Sequence, residues 1–122
     1  MVTSVIDVLG IRYTVVWETL ADDPSFQTCD GYCDPSTKKV HVRLYNEDAS
    51  VLNVDGPIYE HRATLQNKVL RHEIVHAFMY ESGLWRNSGV HDSAWSMNEE
   101  MIDWFAIQGP KIYRAWEEAG AV

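Results

Sequence analysis

Apolar and polar residues alternate along the first part of the chain. Ile11, Tyr13, Val15 and Trp17 alternate with Arg12, Thr14 and Glu18, the period of two that marks a half-buried strand. Val5 to Leu9 is predicted to pair with this strand through a tight turn at Leu9-Gly10. Val40, Val42 and Leu44 alternate with Lys39, His41 and Arg43. The preceding Asp34-Pro35-Ser36-Thr37 suits a type I turn with Pro at the second position. Thr28 to Cys33 is therefore predicted to return as a strand from Lys38 to Tyr45. Glu47 to Pro57 reads as loop, closed by Asp55-Gly56-Pro57.

The periodicity then changes. Leu65, Val69, His72, His76 and Met79 recur at spacings of four and three, and Leu70, Ile74 and Phe78 form a second apolar stripe. This predicts a helix buried on most sides that stops at Ser82-Gly83, where Gly can take a left-handed cap. A second helix is predicted from about Ser96 to Gln108. A third is predicted to start near Pro110 and end near Gly120, its inward stripe being Ile112, Ala115, Trp116 and Ala119. Strands followed by helices indicate an α+β fold: a small, mostly antiparallel sheet packed on one long helix plus two further helices, in a single domain over residues 1–122.

Composition narrows the function classes. The chain has 122 residues, 46% of them hydrophobic, enough for one domain with a sizeable core. A formal charge of −8 and the lack of any basic stripe argue against a nucleic-acid partner. No apolar run approaches a membrane span, and nothing at the N-terminus reads as a signal segment. Two cysteines, Cys29 and Cys33, do not make a disulfide framework or a two-residue metal knuckle, so free thiols are expected. A cytoplasmic, monomeric protein is the expectation. Trp85, Trp95, Trp104 and Trp116 read as core or loop anchors, and His41 and His61 as solvent-facing.

Chemistry concentrates in His72-Glu73-Ile74-Val75-His76. Residues four apart share a helix face, so both imidazoles can reach one ion, and Glu73 between them is offset around the helix. Zinc suits two neutral imidazoles and an open coordination position. Water on such an ion approaches neutrality in its acidity, and a neighbouring carboxylate can take its proton. With five His and nine Glu, chance yields this pattern about 0.015 times in such a chain. The bland alternative is a buried helix with two satisfied histidines, but unpaired buried imidazoles are costly.

A catalytic zinc needs a third protein ligand. Glu99 and Asp103 lie four apart on the next predicted helix, so one can bind metal while the other fixes a histidine tautomer. Glu100 is the fallback ligand. Ser96-x-x-Glu99 also fits a capping box, which would use Glu99 for its own helix start.

The His72-Glu73-x-x-His76 helix followed by Glu99-x-x-x-Asp103 resembles the gluzincin metallopeptidases. The compactness, the N-terminal strands and the Glu-rich helix running into Trp104-Phe105-Ala106 resemble the small phage-encoded peptidases of the ImmA/IrrE type. The resemblance implies that His72, His76 and Glu99 bind Zn2+, that Glu73 is the general base and proton shuttle, that Asp103 orients His72, and that Asn98 supports His76. It also implies an edge strand, for which Lys38 to Tyr45 is chosen, that pairs with an extended peptide. For the residue that stabilises the carbonyl oxygen, His91 and Tyr80 both remain available. The expected activity is zinc-dependent peptide hydrolysis on a protein or peptide substrate. The alternatives are a zinc-stabilised peptide-binding or regulatory module without catalysis and a purely structural zinc domain.

Overall fold

The computed structural model describes residues 2–45, 58–85, 95, 96, 98–120 and 122. The first hairpin forms as the alternation predicts. β1 (Val2–Val8) and β2 (Ile11–Glu18) pair antiparallel, with Val8 opposite Ile11. Leu9 and Gly10 both have positive φ (52° and 86°), the two-residue mirror-image turn whose twist matches that of the strands it joins. Asp7 Oδ1 accepts the Gly10 N–H at 3.1 Å and fixes the turn.

After β2 the chain crosses the second face of the sheet with a short 3-10 helix (Pro24–Gln27), capped by Asp23. It lays down β3 (Gly31–Asp34) and returns as β4 (Lys39–Arg43). Asp34 Oδ1 organises the turn by accepting from the Ser36 N–H at 3.0 Å and the Ser36 hydroxyl at 2.5 Å. The strand order is β1-β2-β4-β3, with β4 parallel to β2 and antiparallel to β3. The sheet is therefore mixed. Lys38 to Tyr45 is not the edge strand: β4 is interior, because its Val40 and Val42 are both fully buried, and β3 takes the edge.

On one face Val8, Tyr13, Val15, Val40 and Val42 form the core with Ala77 of α1 (Ile58–Glu81); Val69 and Leu70 pack beside them. These six buried residues carry the apolar weight of this face, each fully buried large side chain contributing roughly 1.5–3 kcal/mol. The helix is not buried on most sides, since Phe78 is exposed. It ends as expected, with Gly83 left-handed (φ 83°). On the other face His41 is not solvent-facing. It stacks on Tyr32 at 4.3 Å and pairs through Nδ1 with Glu18 at 2.9 Å.

The helical half differs from the expectation of three helices. One helix, α2 (Glu99–Glu118), replaces the second and third, and Pro110 lies inside it. A proline has no N–H to give the carbonyl four residues back, here that of Ala106. Arg71 of α1 supplies the missing donor: its Nε donates to the Ala106 carbonyl. The helix thus runs on through Pro110, and its second half has no layer beneath it. The stripe expected to face inward is exposed at Trp116, as are Trp85, Trp95 and Trp104, which are not core anchors. No helix of the described residues is long and apolar enough to cross a membrane. The loop reading of Glu47 to Pro57 lies outside the described residues.

The Arg71 bond predicts a coupled effect on stability. Arg71→Met should lose about 1–3 kcal/mol in urea unfolding. It should lose clearly less in a Pro110→Ala background, where the restored backbone N–H satisfies Ala106 from within the helix. Equal losses in both backgrounds would show that the guanidinium does not serve that carbonyl.

Candidate metal centre

The site combines the middle of α1, the first turn of α2 and the open edge of β3. The four-residue spacing places His72 and His76 on one face of α1, with ring centroids 4.9 Å apart and planes inclined by 64°. α2 starts at Glu99 because Asn98 caps it, its side chain accepting the Met101 N–H at 2.8 Å. The helix does not begin at Ser96, and Asn98, expected to support His76, serves the helix start. Glu99 is thereby released from any capping duty.

The Glu99 carboxylate reaches both histidines. Oε2 lies 3.0 Å from His72 Nε2, and Oε1 lies 3.1 Å from His76 Nε2. Glu100 is exposed and joins none of the ion pairs of the described residues. On the far side of the His72 ring, Nδ1 lies 3.3 Å from Asp103 Oδ1, which also takes Lys68 Nζ at 2.8 Å. Lys68 first, and then His72, hold the Asp103 carboxyl below its ordinary range. Both ring nitrogens of His72 thus face carboxylates; with a metal on Nε2, Nδ1 would carry the proton and donate it to Asp103.

This arrangement sets the test for a metal. Burial pushes the His76 pKa down, against the pull of Glu99, which favours the neutral ring that a metal requires. Two ring nitrogens gathered on one carboxylate form a group that can hold a cation. Ligand atoms 2.0–2.2 Å from one ion at a tetrahedral angle lie roughly 3.3 Å apart, close to the two separations seen here. The ligand atoms of His72, Glu73 and His76 lie within 4.8 Å of one another, and this group can hold a metal ion. The donor set of two imidazoles and carboxylate fits zinc.

Glu73 occupies a different position. Its Oε1 stays 3.9 Å from His72 Nε2, and the residue is buried under β3. Burial first, then the charge of Glu99, raises its carboxyl pKa to about 7. Gly31 makes room for it. A Cβ there would lie 2.7 Å from Val69 Cγ1, 2.9 Å from the His41 carbonyl oxygen and 3.2 Å from Glu73 Cγ. Gly31 was not singled out from the sequence; its signal is a glycine within a strand, which points to close backbone approach.

These residues line a cleft of about 390 Å3 together with Tyr32, Cys33 and Tyr80. Burial raises the Tyr80 phenol pKa, so it stays a donor at neutral pH. Burial and then Glu73 push the Cys33 thiol up to about 12. Cys29 and Cys33 are both free, as expected. His91 and the side chain of His61 lie outside the described residues. The helix thus carries a His72-Glu73-His76 group consistent with the HExxH pattern. Compared with family models, curated proteins and solved structures, the chain gives no match.

The raised Glu73 carboxyl predicts how the metal-free protein responds to pH. Between the ordinary value of 4.5 and about 7 the folded state keeps a proton that the unfolded chain releases. Stability from this group is therefore lost as pH rises through that window. Metal-free Glu73→Gln should be more stable than the parent at pH 8, by on the order of 2–3 kcal/mol, and the gap should close towards pH 5. Thermal melts of both proteins across this range check the sign; a gap that widens on acidification overturns it.

Proposed function

We propose that this chain is a zinc metallopeptidase in which His72, His76 and Glu99 hold the ion and Glu73 is the general base. The observation that carries the reading is the pair of imidazole nitrogens facing one carboxylate, with a second carboxyl group, that of Glu73, beside them. A structural zinc is closed by four protein ligands, whereas a hydrolytic one keeps a position open. When bound, zinc supplies a Lewis acid and lowers the pKa of water to near neutrality.

The protein's own groups do the rest. Glu73, buried beside the two histidines, would take a proton and later deliver it to a leaving amine. Asp103 holds the His72 ring by its Nδ1–H, fixing which nitrogen faces the ion. Tyr80 lines the cleft, and we assign it as a donor for the carbonyl oxygen of a substrate.

The edge strand supports a peptide as substrate. Arg43 N–H donates to the Asp30 carbonyl at 2.9 Å, which sets the register of the β3–β4 ladder. By antiparallel alternation, the N–H and C=O groups of Gly31 and Cys33 then point to the open side. An extended peptide can pair with both, over the cleft that contains Glu73.

Elemental analysis should find one zinc per chain. His72→Ala, His76→Ala and Glu99→Gln should each lose it, while Glu100→Gln should keep it. Asp103→Ala should cost roughly 10–100-fold in affinity. Glu73→Gln should retain zinc yet reduce hydrolysis of a mixed fluorogenic peptide library by about 10²–10⁴-fold. Equal hydrolysis by parent and Glu73→Gln overturns the assignment of the base. A zinc-loaded parent that holds peptide without cutting it marks a binding module instead.

A further inference from the structure

The cleft does not end at the metal centre. Beyond Tyr80 a second cavity of about 600 Å3 opens, with Tyr80 and Trp85 on one side and Pro35, Ser36, Lys38 and Glu81 on the other. Tyr80 lines both spaces, so they adjoin at this side chain of α1. Pro35 follows directly on the end of β3. At about 3.3 Å per residue, a chain paired with Gly31 and Cys33 reaches this cavity within two or three residues.

What the cavity offers a ligand follows from which of its groups are already engaged. The Ser36 hydroxyl donates to Asp34 Oδ1 at 2.5 Å, and the Ser82 hydroxyl to the Met79 carbonyl at 2.8 Å. Lys38 Nζ and the Tyr13 hydroxyl both donate to Glu81 Oε1, at 2.5 Å and 2.6 Å. The lysine and the glutamate cancel in charge. The ring faces remain: Tyr80 and Trp85 meet edge to face at 5.4 Å, and Trp85 is still 40% exposed. Aromatic faces left open beside satisfied polar groups favour another aromatic ring, in the offset or edge-on geometries that such rings prefer. A charged side chain would give up water here for partners already taken.

The geometry points to a specificity subsite: the Tyr80–Trp85 cavity receives an aromatic side chain of the bound peptide, within about three residues of the scissile bond. The placement of the peptide rests on the metallopeptidase reading above; the cavity's preference does not.

The test separates the two. Zinc-loaded Glu73→Gln protein is titrated with labelled eight-residue Ala/Ser peptides carrying Phe, Trp, Leu, Lys or Asp at each position in turn, and binding is read by fluorescence anisotropy. One position should favour Phe or Trp over Ala by about 10-fold or more, with Leu intermediate and Lys and Asp no better than Ala. Trp85→Ala and Trp85→Leu in that background should each flatten the preference, and Trp85→Phe should keep most of it, all with unchanged zinc content and melting temperature. If Trp85→Ala fails to fold, the Leu and Phe pair decides. Absence of any aromatic preference, a preference that survives Trp85→Leu, or stronger binding of Lys or Asp overturns the subsite. The parent is then assayed for cleavage of the same peptides. Cleavage without aromatic selection sinks the subsite alone, and aromatic-selective binding without cleavage sinks the peptidase reading alone.

Discussion

Two imidazole nitrogens directed at one carboxylate are the constraint around which this chain is arranged. His72 Nε2 and His76 Nε2 lie 3.0 and 3.1 Å from Glu99, so the junction of α1 and α2 gathers three groups that could hold one cation. The protein holds the rest of that junction in place without the ion. Asn98 fixes where α2 starts, Lys68 and His72 share Asp103, and Arg71 takes the Ala106 carbonyl that Pro110 leaves without a donor. These contacts follow α2 along α1 over two turns. Metal ligands supplied by separate elements need such support, because an ion binds tightly only when its ligands are already close to their final geometry.

The third side of the site depends on backbone rather than side chains. Gly31 lets β3 approach α1 closely enough to cover Glu73, and that cover is what raises its carboxyl pKa. Any side chain at position 31 would have to displace Val69, the His41 carbonyl or Glu73 itself, and overpacking of this kind typically costs about 1–3 kcal/mol. The acidity of the proposed base is therefore set by a glycine forty-two positions earlier in the sequence.

Local pattern made part of this legible. The Leu9-Gly10 turn, the Asp34-Pro35 turn, the end of α1 at Gly83 and the His72-Glu73-x-x-His76 face all follow from rules acting within a few residues. Non-local choices were not legible. Whether β4 lies at an edge depends on where β3 settles, and alternation reads the same for interior and edge strands of a one-sided sheet. The proline rule failed because it is a local rule. Pro110 breaks a helix only if the Ala106 carbonyl goes unsatisfied, and its donor, Arg71, comes from another helix. The four tryptophans read as core or loop anchors, yet all four are exposed among the described residues, because exposed large apolar side chains are ordinary and a tryptophan alone does not mark the core.

A second cluster shows why geometry, and not residue type, identifies the metal centre. Glu18, Asp23 and His41 also bring three ligand atoms within 4.8 Å of one another. There, however, donors meet acceptors. His41 Nδ1–H points at Glu18, and Tyr32 donates its hydroxyl to Asp23 at 2.5 Å. Asp23 also accepts the Ser25 N–H at the start of the 3-10 helix. The Tyr32 bond, more than any other contact, holds the Asp23 carboxyl below its ordinary value. A metal would have to displace bonds that already hold the β2–β3 connection over the second face of the sheet. At His72, His76 and Glu99 two imidazoles converge on one exposed carboxylate, and a cation among them would leave the His72–Asp103 contact intact. Two clusters of similar composition on opposite faces thus differ in kind: one is a finished hydrogen-bond network, and the other is a group that could hold an ion.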